Sequence, residues 1–150
     1  MNFELIYSNF FIIITGLDET LKLVIISLGL GFILAIPFAL ARVSSIKILS
    51  KSVYYYIFVI RGTPLLVQIY LIYYGLGTIE YVRESFLWIV LKDPFYCGVL
   101  ALVINTIAYT TEIFRGGIQS VTKGQIESCK SLGMGRVAMY LKIILPCAFR

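Results

Sequence analysis

The sequence predicts an all-α, polytopic membrane protein with three crossings and a two-helix loop on the cytoplasmic side. Three observations predict it. Apolar residues fill 59% of the 150 positions and charged residues 14%, whereas a soluble domain is typically about a quarter charged. With a mean hydropathy of +0.91, the chain has too little polar surface to cover itself in water. The apolar residues also gather in runs long enough for a bilayer, because about 20 helical residues cross a hydrocarbon core of roughly 30 Å. Finally, the formal charge of +5 is spread between those runs, which suits membrane topology and argues against nucleic acid as a partner.

The first run, LKLVIISLGLGFILAIPFALA, covers residues 21–41. Lys22 sits just inside it and can snorkel to the headgroups. Gly29 and Gly31 offer close approach to a second helix, and Pro37 lies near the far end, where neighbouring helices can satisfy the freed carbonyl. The second crossing is expected at about 57–77. Its helix restarts at Thr63 and Pro64, read as N-cap and first helical position, after an interfacial elbow at Tyr54–Tyr56. Residues 78–94, TIEYVRESFLWIVLKDP, mix charges and aromatics and suit one amphipathic helix at the interface. The third crossing is FYCGVLALVINTIAYTTEIF, residues 95–114.

Charge orients these crossings. The N-terminal flank carries Glu4, Asp18 and Glu19 without a base, while loop 42–52 carries Arg42, Lys47 and Lys51 without an acid. Beyond residue 114 stand Arg115, Lys123, Lys130, Arg136, Lys142 and Arg150 against Glu127. The positive-inside rule places loop 42–52 and the C-terminal segment in the cytoplasm and the N-terminus outside. The N-terminus lacks the basic start of a signal peptide.

No metal or cofactor is expected. The chain has no histidine, and Cys97, Cys129 and Cys147 are too far apart for a zinc or redox pair; free thiols are expected. No glycine-rich phosphate loop of the GxxxxGK[ST] kind occurs, so the chain is not expected to hydrolyse ATP, nor to be an enzyme.

Residues 124–146, GQIESCKSLGMGRVAMYLKIILP, are polar and glycine-broken after this apolar body. Ile126, Cys129 and Leu132 recur every third residue and form a stripe on a short helix. Gly133 can take the left-handed conformation that ends it. A second helix is expected from Arg136, with Val137, Met139, Tyr140 and Leu141 apolar, stopping before Pro146. Such a knob fits a groove on a soluble partner or lies as an amphipathic hairpin on anionic lipid; the residues alone leave both open.

The spacing resembles the cytoplasmic coupling loop of permease subunits in binding-protein-dependent ABC importers. That pattern is E-A-A, three residues, G, nine residues, I-x-L-P. Here it reads Glu127-Ser128-Cys129, Gly133, and Ile143-Ile144-Leu145-Pro146 at the same spacing. Small Ser128 and Cys129 replace the two alanines. IRGTPLLVQIYLIYYGLG and AYTTEIFRGGIQSVTKGQIES further resemble the polar amino-acid branch, and ARVSS and SFLWIVLKDPFYCGVLAL look closest to permeases for histidine, lysine, arginine, ornithine and octopine. The resemblance implies a coupling loop at 120–146, in which Gly124, Gln125, Glu127, Ser128, Cys129, Gly133, Ile143, Leu145 and Pro146 meet an ATP-hydrolysing subunit, present in two copies. It also implies a second permease chain, the same or related, and a periplasmic amino-acid-binding protein, all at the bacterial inner membrane. Family members carry two more helices after the loop, whereas this sequence stops at Arg150 in the LPxAxR tail. A non-transporting remnant or one half of a split gene is therefore a competing expectation, as is a small membrane-structural protein whose hairpin rests on lipid.

Within the third crossing, Asn105, Tyr109 and Glu112 are spaced four and three apart and share a helix face, flanked by Thr106 and Thr110. A charge inside a membrane is costly and faces protein or a wet cavity. Two readings follow: the stripe lines a substrate path with Glu112 attracting a cation, or Glu112 pairs with Arg115 while Asn105 bonds between helices. Gln68 in the second crossing is a similar candidate, for the path or for an interhelical hydrogen bond. Arg61 reads as an interface anchor, and Tyr73 and Tyr74 as an aromatic belt.

Overall fold

The structure, a computed structural model, describes residues 3–148. Among them every regular element is helical, as composition requires, and they fall into two compact units: Met1–Leu30 with Pro64–Val103, and Gly31–Thr63 with Ile104–Arg150. Among the described residues two helices are long and apolar enough to cross a membrane, or three if the broken pair Lys47–Gly62 and Leu65–Thr78 makes one crossing. The Arg150 tail lies outside the described residues.

In the first unit, α1 (Phe3–Arg42) contributes its N-terminal part. The helix begins well before the expected crossing: its one proline, Pro37, comes near the far end, and Asp18 and Glu19 are compensated along its own surface. Lys22 Nζ lies 2.6 Å from Asp18 Oδ2 and 3.5 Å from Glu19 Oε1, so the lysine expected to snorkel is ion-paired instead. Such an exposed pair is screened by solvent and contributes little to stability.

α2 (Lys47–Gly62) belongs to the second unit and contains Tyr54–Tyr56 in mid-helix, so the expected tyrosine elbow is absent. The break falls at Thr63. Proline disfavours the helical region for the residue before it, and Thr63 is extended at φ −114°, ψ 139°. Thr63 does not cap the next helix: its hydroxyl donates back to the Val59 carbonyl at 3.0 Å, and Pro64 itself is the N-cap. α3 then runs over Leu65–Thr78 in the first unit, with a π turn at Leu71–Gly75.

The single amphipathic helix expected over 78–94 is instead two short turns, α4 (Glu80–Arg83) and α5 (Trp88–Leu91). Ser85 separates them; its hydroxyl donates to the Val82 carbonyl at 2.7 Å, competing with continued helix. Trp88 folds back so that its ring lies 3.4 Å from where Gly77 would carry a Cβ. α6 (Pro94–Ser120) opens with proline at its first position, and the Phe95 N–H donates to Asp93 Oδ1 at 2.9 Å, which satisfies an orphan donor of the first turn.

The second unit is built on small residues. Ala35 and Ala39 are buried against Phe114 with Ile36 and Ile118 beside them, and Phe32 meets Phe114 edge-to-face at 5.0 Å. One turn before Ala35, Gly31 lies against Thr106: an added Cβ would stand 2.6 Å from Thr106 Cβ. Gly29, the other glycine expected to permit close approach, has nothing within 4 Å of that position. A second cluster joins Val53 and Ile57 of α2 to Ala108 of α6. There the Tyr56 hydroxyl donates to the Ile104 carbonyl at 2.6 Å, satisfying a buried polar group.

Candidate functional site

The segment after α6 opens on a cap. Thr122 and Gln125 form a reciprocal capping box, with Gln125 N donating to Thr122 Oγ1 at 3.3 Å and Thr122 N donating to Gln125 Oε1 at 3.0 Å. Two donors at the start of α7 (Lys123–Ser131) are thereby satisfied. Its end is equally defined. Gly133 has φ +71°, while Met134 N donates to the Cys129 carbonyl at 3.0 Å and Gly133 N to the Lys130 carbonyl at 2.9 Å. These are the two bonds of a Schellman motif, which needs a left-handed residue at that place.

The chain then enters α8, a run of Arg136–Met139, a π turn at Tyr140–Ile144, and Leu145–Ala148. The helix passes through Pro146 where it was expected to stop. The π turn accommodates this: Leu145 N donates five residues back to Tyr140 O, shifting the register ahead of the residue that has no N–H to give.

Val121, Cys129, Met139 and Ile144 make a small core under the two helices, with Ile126, Met134 and Ile143 packed on it. Leu132, expected on this stripe, is 81% exposed, because it is the C-cap residue and its backbone (ψ 5°) has left the helix. Leu132, Val137 and Leu141 are the large apolar residues that α7 and α8 leave exposed. Gly124, Gln125, Glu127, Ser128, Gly133 and Pro146 are exposed too, whereas Cys129 is buried and Ile143 and Leu145 are half-buried. All three cysteines are free thiols.

Tyr109 and Glu112 of the polar stripe of α6, but not Asn105, line an open groove of about 490 Å³ in the second unit, with Arg42, Arg61, Arg115 and Tyr54. Glu112 is held by arginine: Arg115 Nε and Nη2 both lie 2.8 Å from Glu112 Oε2, and Arg42 Nε lies 3.7 Å from Oε1. That last distance is an ion pair but too long for a hydrogen bond, so Arg42 Nε is buried without a hydrogen-bond partner among the described residues. Arg42 Nη1 donates to Ser50 Oγ at 3.1 Å and its guanidinium sits 5.0 Å over the Tyr54 ring. Arg61 lies 5.1 Å over the Tyr109 ring and has no acidic partner among the described residues. Asn105 is half-buried in the same unit, and Gln68 is buried in the first unit.

Thus two positions on the groove, Tyr109 and Glu112, were legible from helical spacing. Arg42 and Arg61 were missed there, because both stand far from α6 in the sequence, on other helices. Their one signal was being arginines beside apolar runs.

Residues 21–150 match the sequence profile of the binding-protein-dependent transport system inner membrane component family. The chain belongs to that family. This member is 48% identical over 145 residues to the octopine transport system permease of Rhizobium radiobacter, spanning 97% of this chain and 59% of that one. It is 44% identical over 151 residues to the nopaline transport system permease of Agrobacterium fabrum (strain C58 / ATCC 33970), spanning 100% and 63%. With the histidine/lysine/arginine/ornithine permease of Escherichia coli (strain K12) it shares 44% over 137 residues, spanning 91% and 58%. It therefore spans about three-fifths of the length of these curated relatives. A crystal structure of an amino acid ABC transporter with histidines matches it at a TM-score of 0.81 and 39% identity, covering 99% of this chain and 65% of that one. The fold is that of an ABC importer permease, a multi-pass inner-membrane component.

Proposed function

We propose that this chain forms the substrate-conducting part of an ABC importer for amino acids, basic ones and opines foremost, with ATP hydrolysis on two copies of a partner subunit. A second permease chain completes the path, and a periplasmic binding protein delivers substrate. Loop 42–52 and the α7–α8 knob face the cytoplasm. The observation that carries this reading is the knob itself: a two-helix element, capped at both ends of α7, that leaves Leu132, Val137 and Leu141 exposed beside Glu127 at the family's coupling-loop spacing. Apolar anchors on short helices suit a groove on a soluble partner. The transport relatives named above support the substrate class. Closure of the ATPase pair would move the knob and bias the permease between outward- and inward-open states.

Crosslinking tests it. Cys129 is buried, so the probe belongs at Ser128, which is exposed. Ser128→Cys in the assembled importer is expected to give an adduct with the ATPase subunit and to be labelled from the cytoplasmic side. Labelling from the outer side alone, or a thiol protected only by anionic lipid, would favour a hairpin lying on the membrane. Uptake of radiolabelled arginine and ornithine by the same importer tests the substrate class.

A further inference from the structure

The groove on α2 and α6 carries more positive than negative charge. It holds three guanidiniums and one carboxylate, and that carboxylate is already held: Arg115 takes one oxygen of Glu112 and Arg42 lies near the other. Arg115 is also occupied, since its remaining nitrogen donates to Gln119 Oε1. Among the described residues, Arg61 is engaged only by the Tyr109 ring and Arg42 Nε is buried without a hydrogen bond. Arg61 is exposed in the groove, and a planar fork matches a carboxylate with two parallel hydrogen bonds. Around them Tyr54, Phe58 and Tyr109 stay substantially exposed, a volume and lining that suit a small molecule.

Resting on the transport reading above, we propose that this groove receives the α-carboxylate of the transported amino acid, with Arg61 on its Tyr109 platform as the specificity-determining residue. Glu112 then serves to hold Arg115 and Arg42 in place and does not meet a cationic side chain. The substrate class this selects is defined by its carboxylate: molecules that keep the basic side chain but lack the acid are rejected.

The test uses the complete importer containing this chain in nanodiscs, without the binding protein, and measures equilibrium binding of radiolabelled arginine and of agmatine, its decarboxylated analogue. Arginine is expected to bind at least ten-fold more tightly. Arg61→Gln is expected to weaken arginine by about 10- to 100-fold, the worth of a charge-assisted bidentate contact, and to leave agmatine unchanged. Arg61→Lys, which keeps the charge but loses the fork, is expected to fall between them. Equal binding of the two ligands by the unaltered importer overturns the proposal, as does discrimination that survives Arg61→Gln. An Arg61→Gln defect that appears only in phosphatidylglycerol nanodiscs and affects both ligands alike identifies a lipid-phosphate site and also overturns it. Failure of the unaltered importer to move any amino acid would sink the transport reading instead, which keeps the two failures apart.

Discussion

Replacing Gly31 with alanine is expected to destabilise the second unit, and the structure supplies both the magnitude and the control. The new Cβ would stand 2.6 Å from both Thr106 Cβ and Thr106 Cγ2, against an optimal carbon–carbon separation of about 3.5–4.0 Å. Thr106 Cβ is fixed to its backbone and cannot rotate away, so α1 and α6 must separate or bend. Overpacking of this kind costs about 1–3 kcal/mol. Alanine also recovers about 0.5–1 kcal/mol that glycine loses in a helix interior. Gly29→Ala collects that same gain at a position with nothing within 4 Å, so the difference between the two variants isolates the clash at about 1–3 kcal/mol. Thermal and SDS-titration unfolding of the purified chain in lipid micelles measures it. Adding Thr106→Gly to Gly31→Ala removes the struck Cβ, and the double variant is expected to recover part of the loss beyond additivity. Indistinguishable unfolding of Gly31→Ala and Gly29→Ala would refute the reasoning.

Three further outcomes are expected. Gly133→Ala forces a Cβ into a left-handed residue and should cost about 1–2 kcal/mol, with Gly133→Asn milder; hydrogen exchange at the Gly133 and Met134 amides reads the loss directly. Thr122→Ala removes the capping box and should cost about 0.5–2 kcal/mol of α7 stability, with Thr122→Ser restoring most of it, as followed by the same exchange measurement at Gln125. Glu112→Gln should reduce arginine and glutamine uptake alike in the assembled importer, because the carboxylate is engaged by Arg115; a loss confined to arginine would return Glu112 to the role of cation attractor.

Much of this molecule was legible in its residues, for reasons that can be named. Composition alone demanded helices in a membrane, because a backbone in lipid must satisfy its hydrogen bonds within each segment. Local chemistry marked Pro64 as a break and Gly133 as a helix end, since both act on dihedral angles within a few residues. Where expectation failed, a local signal met a competing one. Tyr54–Tyr56 looked interfacial, yet nothing in the KILSKSVYYYIFVIRG stretch interrupts a helix. Pro146 looked like a stop, yet a π turn one step earlier let the helix pass it. Residues 78–94 looked continuous, yet a single serine hydroxyl on the Val82 carbonyl helped divide them.

By itself the sequence determined the helical class, the apolar body and the glycine stop of α7, all of which depend on neighbours in the chain. Only the tertiary structure decided that Gly31 rather than Gly29 meets α6, that Cys129 turns inward while Leu132 turns out, and that Arg42, Arg61 and Arg115 share one groove with Glu112. Those outcomes depend on which helix faces meet, and a helix's periodicity defines its own faces without naming the one it packs against.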